Sequence, residues 1–272
     1  MSADSPLGFQ VMGILNVTPD SFSDGGRFTD VPRAVGHGLA MEREGARIID
    51  VGGESTRPGA EPVSEAEELA RVVPVIEGLR AAGLAVTISI DTSKAAVAAA
   101  ALDAGAGMVN DVSALRADPG MAELVAARGV PCVLMHMRGE PRTMQRDPRY
   151  GDVVGEVRAF LRERMEAAVD AGIAEQRIWL DPGIGFGKTV EHNLTLLRDL
   201  EALAELGRPV VIGTSRKSFL GRLTGRDFTG LAAATVATSV LAYERGARVF
   251  RVHDVAPTRD ALVVAAATVR RA

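Results

Sequence analysis

The chain has 272 residues, 47% of them apolar and 24% charged, so it can bury one extensive core and fits neither a disordered nor a fibrous class. Its net charge of -4 lacks the basic excess that phosphate-backbone binding demands, which argues against a nucleic-acid partner. The single cysteine rules out a disulfide framework, and the sequence has neither a signal segment nor a run of about 20 apolar residues, so a cytoplasmic protein without a membrane partner is expected.

Short β-rich runs alternate with longer helical patterns along the whole chain. Strands are expected at 9–15, 47–51, 86–90, 108–112, 131–135, 177–180, 209–212 and 248–252, each too short for a helix. Between them, helices are expected at 64–82, 95–104, 119–128, 152–171, 192–206, 229–245 and 256–270. In the first of these, Leu69, Val72, Val73, Ile76 and Leu79 recur at helical spacing behind a capping box, Ser64-Glu65-Ala66-Glu67. Gly45, Gly83, Gly105, Gly129, Gly172, Gly207 and Gly246 each fall just before a strand, as helix C-terminal caps do. Cys132 sits inside the apolar run 130–134 and reads as a core thiol.

Eight such βα units without a dividing linker predict an α/β fold, a single (β/α)8 TIM barrel spanning residues 1–272 as one domain. An open doubly wound sheet ordinarily carries a glycine-rich turn after its first strand. Here the first strand leads into a long polar segment, and long loops are expected after strands one and two.

The catalytic face of such a barrel is the C-terminal end of its strands. Polar residues stand there on all eight: Asn16, Asp50 with Glu54 beyond, Asp91, Asn110-Asp111, His136, Asp181, Thr214 to Lys217, and Arg251 with His253. Each alone reads as a turn or cap residue; together they form a polar basin. Asp91, Asn110, Asp181 and Lys217 alternate acceptors and donors, as a flat heterocycle rich in ring N–H groups requires. Asn16, Arg251 and His253, with Ser55, Thr56 and Arg57, supply what a diphosphate requires. The competing reading of Arg251 and His253 is an ordinary ion pair with Asp254 or another rim carboxylate.

Other motifs fail on spacing. Gly187-Lys188-Thr189 lacks the P-loop glycine five residues before Gly187, where Pro182 stands. The glycines at 183, 185 and 187 miss the dinucleotide pattern, and no Gly-x-Ser-x-Gly elbow surrounds Ser215 to make it a hydrolase nucleophile for His253.

Seven segments resemble the bacterial dihydropteroate synthases: MGILNVTPDSFSDGG at 12–26, DVGGESTRPG at 50–59, SIDT at 89–92, NDV at 110–112, DPGIGFGK at 181–188, SRKSF at 215–219 and RVHD at 251–254. They occur in order at the predicted strand ends. The resemblance implies a transferase of folate synthesis that condenses 6-hydroxymethyl-7,8-dihydropterin diphosphate with p-aminobenzoate to 7,8-dihydropteroate and pyrophosphate. It implies a pterin held by Asp91, Asn110, Asp181 and Lys217, with Met135 lining the slot and Arg251 packing over the ring. Asn16 with Mg2+, together with Thr56, Arg251 and His253, would take the diphosphate. Phe186, Lys217 and Ser218 would hold p-aminobenzoate, the site of sulfonamide mimicry, while Phe22, Thr56, Arg57 and Pro58 close over it. The implied catalytic set is Asp91, Asp181, Lys217, Arg251 and His253, and the implied assembly is a homodimer. The alternatives are a methyltetrahydrofolate-dependent methyltransferase and a non-catalytic pterin-binding paralogue.

Overall fold

The computed structural model describes residues 7–18, 31–55, 59–140 and 142–269. Eight parallel strands close a barrel in chain order: β1 (Gln10–Asn16), β2 (Ile48–Gly52), β3 (Thr87–Asp91), β4 (Met108–Asp111), β5 (Cys132–Met135), β6 (Ile178–Asp181), β7 (Val210–Ile212) and β8 (Ala247–Val252). The ring closes where Met12 of β1 pairs with Arg251 of β8. All eight coincide with the predicted runs to within a residue or two at their ends.

Ten helices are described outside the barrel: α1 (Val31–Arg43), α2 (Glu65–Ala81), α3 (Ala95–Asp103), α4 (Gly120–Arg128), α5 (Val153–Asp170), α6 (Val190–Arg198), α7 (Glu201–Ala204), α8 (Ser218–Thr224), α9 (Ala232–Glu244) and α10 (Val255–Val269). The sequence pattern misses α1 and α8 and merges α6 with α7, which part at Asp199 and Leu200. The expected helix at 229–245 opens instead with a 3-10 turn, Phe228–Gly230, before α9. Tertiary packing explains α1, whose glycines weaken its local signal. A Cβ on Gly38 would lie 2.6 Å from the Leu79 side chain, so the glycine lets α1 settle directly on α2.

At α2 only half of the expected capping box forms. Ser64 accepts the Glu67 N–H, but the Glu67 carboxylate turns to Arg71 one helical turn on. A complete box stands at α6, where Thr189 and His192 cap each other. All seven glycines expected as helix stops have positive φ.

The core has two shells. Met12, Ile48, Met108, Val133, Trp179, Val211 and Val249 fill the barrel interior, and a larger apolar layer seals strands against helices. Cys132 is buried and unpaired, its thiol pushed up to about 12 by burial. Among the described residues no helix is long and apolar enough to cross a membrane.

Candidate active site

Side chains on a strand return to the same face every second residue. Two residues beyond the interior plug positions Ile48, Met108, Val133, Trp179 and Val249 stand Asp50, Asn110, Met135, Asp181 and Arg251. Strand register then gathers the site: Asn16 pairs with Gly52, Gly52 with Asp91, Asp91 with Asn110, and Met135 with Asp181. The sequence reading puts Asp50 at the end of its strand. In fact β2 runs on to Gly52, so Asp50 lies one layer below the rim, wholly buried.

Arg251 spans the floor. Its Nε donates to Asp50 Oδ2 at 2.6 Å and its Nη2 to Asp91 Oδ2 at 2.5 Å, while Asn110 Nδ2 donates to the same Asp50 oxygen at 3.0 Å. Of the ion pairs weighed for Arg251 and His253, the one from Arg251 to Asp254 does not form, since Asp254 takes a two-pronged bond from Arg216 at 2.7 and 3.2 Å. Arg251 does pair with other carboxylates, Asp50 and Asp91. Ser215 and His253 do meet: Ser215 Oγ accepts the His253 backbone N–H at 3.1 Å and lies 3.0 Å from its Nδ1. The hydroxyl accepts from or donates to Nδ1 according to the tautomer of the ring, and its bond to the backbone N–H ties the serine to the His253 main chain.

The segment after β6 is built around a buried lysine, Lys188, which burial holds well below the ordinary lysine range. Asp181 Oδ1 accepts the Gly183 N–H at 2.7 Å. Gly183 has φ +66°, and a Cβ there would stand 1.8 Å from the His136 carbonyl oxygen, so only glycine fits. Lys188, 3% exposed, lies 2.9 Å from His136 Nδ1 and donates to the carbonyls of Gly183 and Phe186 at 3.0 Å. Burial, and then the Lys188 charge, push His136 down to about 3, so its neutral ring can accept that bond. Lys217 Nζ donates to the Ile184 carbonyl and stands 4.4 Å from the Phe186 ring centroid. At the second loop, Lys94 joins Glu54 to the buried Glu68, and Glu54 Oε1 accepts the Val63 N–H at 3.4 Å. Sequence reasoning missed the roles of Asp50, Lys188 and Lys94, which do not line the cavity at the strand ends.

Residues 12–253 match the family of pterin binding enzymes. A dihydropteroate synthase of Mycobacterium leprae is 52% identical over 265 residues, covering 95% of this chain and 93% of that one. The chain belongs to the dihydropteroate synthase family. A synthase of Synechocystis is 50% identical over 246 residues, 90% of this chain and 85% of the relative. The Xanthomonas albilineans synthase superposes with a TM-score of 0.89 in its complex with 7,8-dihydropteroate, at 49% identity over 100% of this chain and 97% of that one. The same protein with 4-aminobenzoic acid gives 0.93 at 52% identity, over 100% and 96%.

In this synthase-family chain, a cavity of about 970 Å³ opens at the strand ends, and Asn16, Asp91, Phe186, Lys217, Ser218, Arg251 and His253 line it. Asn110, Met135 and Asp181 are not on that wall but nearly buried at the strand ends beside it. Met144 and Phe228 also line it, from connections that carry no motif in the sequence. The expectations for Phe22, Thr56, Arg57 and Pro58 lie outside the described residues.

The field in the basin is steep. Burial raises Asp91 to about 7, Arg251 pulls it down, and Asp50, Glu68 and Asp111 push it up. Burial also raises Asp181, against the pull of Lys217. Lys217 is lowered to about 8, chiefly by burial, with Asp181 opposing. Burial would lower Arg251, but the charges of Asp50 and Asp91 more than offset it and hold the guanidinium protonated. Asn16 offers one hard oxygen ligand on the wall. Among the described residues no three His, Cys, Asp or Glu side chains gather into a metal cage.

Proposed function

We propose that this chain is an active dihydropteroate synthase, joining 6-hydroxymethyl-7,8-dihydropterin diphosphate to p-aminobenzoate with release of pyrophosphate. The observation that carries the reading is one basin in which the acceptors Asp91, Asn110 and Asp181 meet the Arg251 guanidinium at the floor, with Lys217 and His253 on the wall. An acceptor-rich floor suits a dihydropterin, whose ring edge and amino group are donors. Met135 and Arg251 bound the pterin, with Arg251 packing over its face when the ring is in place. Phe186, Lys217 and Ser218 hold p-aminobenzoate, and Phe22, Thr56, Arg57 and Pro58 close over it.

Reaction proceeds by early breaking of the exocyclic C–O bond. The diphosphate departs with the bonding electron pair, and the pterinylmethyl carbon is left cationic. Arg251, His253 and Thr56 stabilise the negative charge on the leaving group. Asp91 and Asp181, accepting from ring N–H groups, stabilise the cationic pterin. The arylamine nitrogen then bonds to the methylene carbon and loses its proton to solvent or the departing pyrophosphate, so positioning counts for more than a strong base.

The donor set fits Mg2+ in a limited role. Such an ion keeps several waters and takes phosphate oxygens with one or two protein ligands, and among the described residues Asn16 offers one such oxygen on the wall. When bound it supplies charge neutralisation of the diphosphate. We further propose one domain over residues 1–272, a cytoplasmic location and a homodimer.

Mass spectrometry of a mixture of purified protein, dihydropterin diphosphate, p-aminobenzoate and Mg2+ tests the reading. Dihydropteroate is expected with the intact protein, and at least a hundredfold less with Asp91→Asn or without the metal. Pterin diphosphate binding without product would instead mark a binding-only paralogue.

A further inference from the structure

We propose that Asp50 is a positioning residue of the pterin site, holding the Asn110 amide and the Arg251 guanidinium with one oxygen and so fixing which atoms meet the heterocycle. This rests on the synthase reading of the basin and concerns a residue that does not line the cavity itself.

A carboxylate oxygen only accepts hydrogen bonds. The 3.0 Å contact between Asp50 Oδ2 and the Asn110 amide therefore identifies the amide atom as Nδ2. With Nδ2 committed below, the atom that Asn110 has for a ligand is Oδ1, an acceptor. The floor then reads acceptor from Asp91, acceptor from Asn110 and acceptor from Asp181, with Lys217 as the donor. Turn the amide over, and one of those acceptors becomes a donor facing the donor-rich edge of the dihydropterin.

The same oxygen takes Arg251 Nε at 2.6 Å, and this bond aims Nη2 at Asp91. Two of the groups that define the site thus share one buried anchor. Strand register makes the arrangement possible. Gly52, two residues after Asp50 on the same face, pairs with Asp91 and carries no side chain at that tier.

Asp50 is also a poor choice for stability alone. The residue is wholly buried, and its Oδ1 has no hydrogen-bond partner among the described residues. A fold that needed only to fill this position would use an apolar or amide side chain, because a buried carboxylate oxygen without a donor is unfavourable. Retention of the acid is explained by what Oδ2 orients.

Asp50→Asn decides the matter, since an amide of the same shape can donate as well as accept and no longer dictates how Asn110 turns. Binding of 6-hydroxymethyl-7,8-dihydropterin diphosphate with Mg2+, followed by titration calorimetry, is expected to weaken at least tenfold. KM for p-aminobenzoate should stay within about twofold, a split between the two substrates that a general loss of stability would not produce. The swapped pair Asp50→Asn with Asn110→Asp restores an amide-to-carboxylate bond and again shows the ligand an oxygen, so it should recover at least threefold of the loss.

Wild-type pterin affinity in the single variant, or equal loss towards both substrates together with a lower melting temperature, would overturn the proposal. If the wild-type protein itself bound no pterin diphosphate, the synthase reading would fall. A crystal structure of Asp50→Asn would then still judge the anchor, with displacement of Arg251 and Asn110 supporting it and an unmoved pair refuting it.

Discussion

Asp91 at about 7 and Lys217 at about 8 titrate close together because burial moves each towards its neutral form, the acid up and the amine down. Pterin capture needs Asp91 as an acceptor and Lys217 as a cation. As pH falls below about 7 the carboxylate takes a proton, and as it rises above about 8 the ammonium loses one. The kcat/KM for the pterin diphosphate is therefore expected to follow a narrow bell, losing roughly tenfold per pH unit on either side. Arg251 lowers both groups, so Arg251→Met should move both limbs to higher pH. Measured profiles for the two proteins check this, and a wild-type rate flat from about pH 6 to 9 would contradict it. The stability consequence has the opposite sign from that of an ordinary ion-paired acid. Because the folded-state pKa of Asp91 is raised, the native protein binds the extra proton between about 4 and 7, and the contribution of this residue to stability falls as pH climbs through that window.

Elements succeed or fail here by what the connections bury. Lys188 holds the β6–α6 connection from inside, and the wall residue Phe186 rides on it. Replacing Lys188 by Met would leave His136 Nδ1 and two carbonyls without their donor, at a cost on the order of 2–4 kcal/mol. Urea denaturation should show that loss, and KM for p-aminobenzoate should rise several-fold as Phe186 and Lys217 lose their seat. Unchanged stability would mean that the carbonyls find water. In the sequence this lysine looks like the end of a failed P-loop, and nothing in its spacing reveals that it points inward. Strands were legible for the opposite reason. Each is a short apolar run whose inward residue repeats at period two, so the plug residue Trp179 forecasts Asp181, and Val249 forecasts Arg251. Helix α1 was not legible, since Gly36 and Gly38 weaken the local signal and the contact that stabilises it is with Leu79 on a different helix. Asp50 was read one tier too high because β2 continues through Val51 to Gly52, where composition alone gives no end point.

At the scale of the molecule, the closed barrel converts eight separate strand ends into one ring, and this is why residues from Asn16 to His253 can meet in a cavity of about 970 Å³. The ring brings charge of both signs together but builds no metal cage among the described residues, since its carboxylates Asp50 and Asp91 are engaged with Arg251. Among the described residues a divalent cation at Asn16 meets one neutral ligand and needs the diphosphate for much of its shell. Affinity for Mg2+ should then depend on the substrate. Titration calorimetry of the protein with Mg2+ alone is expected to give no saturable heat up to about 1 mM, a range in which a hard cation with a single neutral ligand stays hydrated. With the dihydropterin diphosphate present, a single saturable event should appear, and Asn16→Ala should weaken it several-fold while leaving binding of the unphosphorylated 6-hydroxymethylpterin unchanged. Tight Mg2+ binding to the protein without diphosphate would show that the ring holds a metal of its own, and the division into a pterin floor and a diphosphate rim would have to be redrawn.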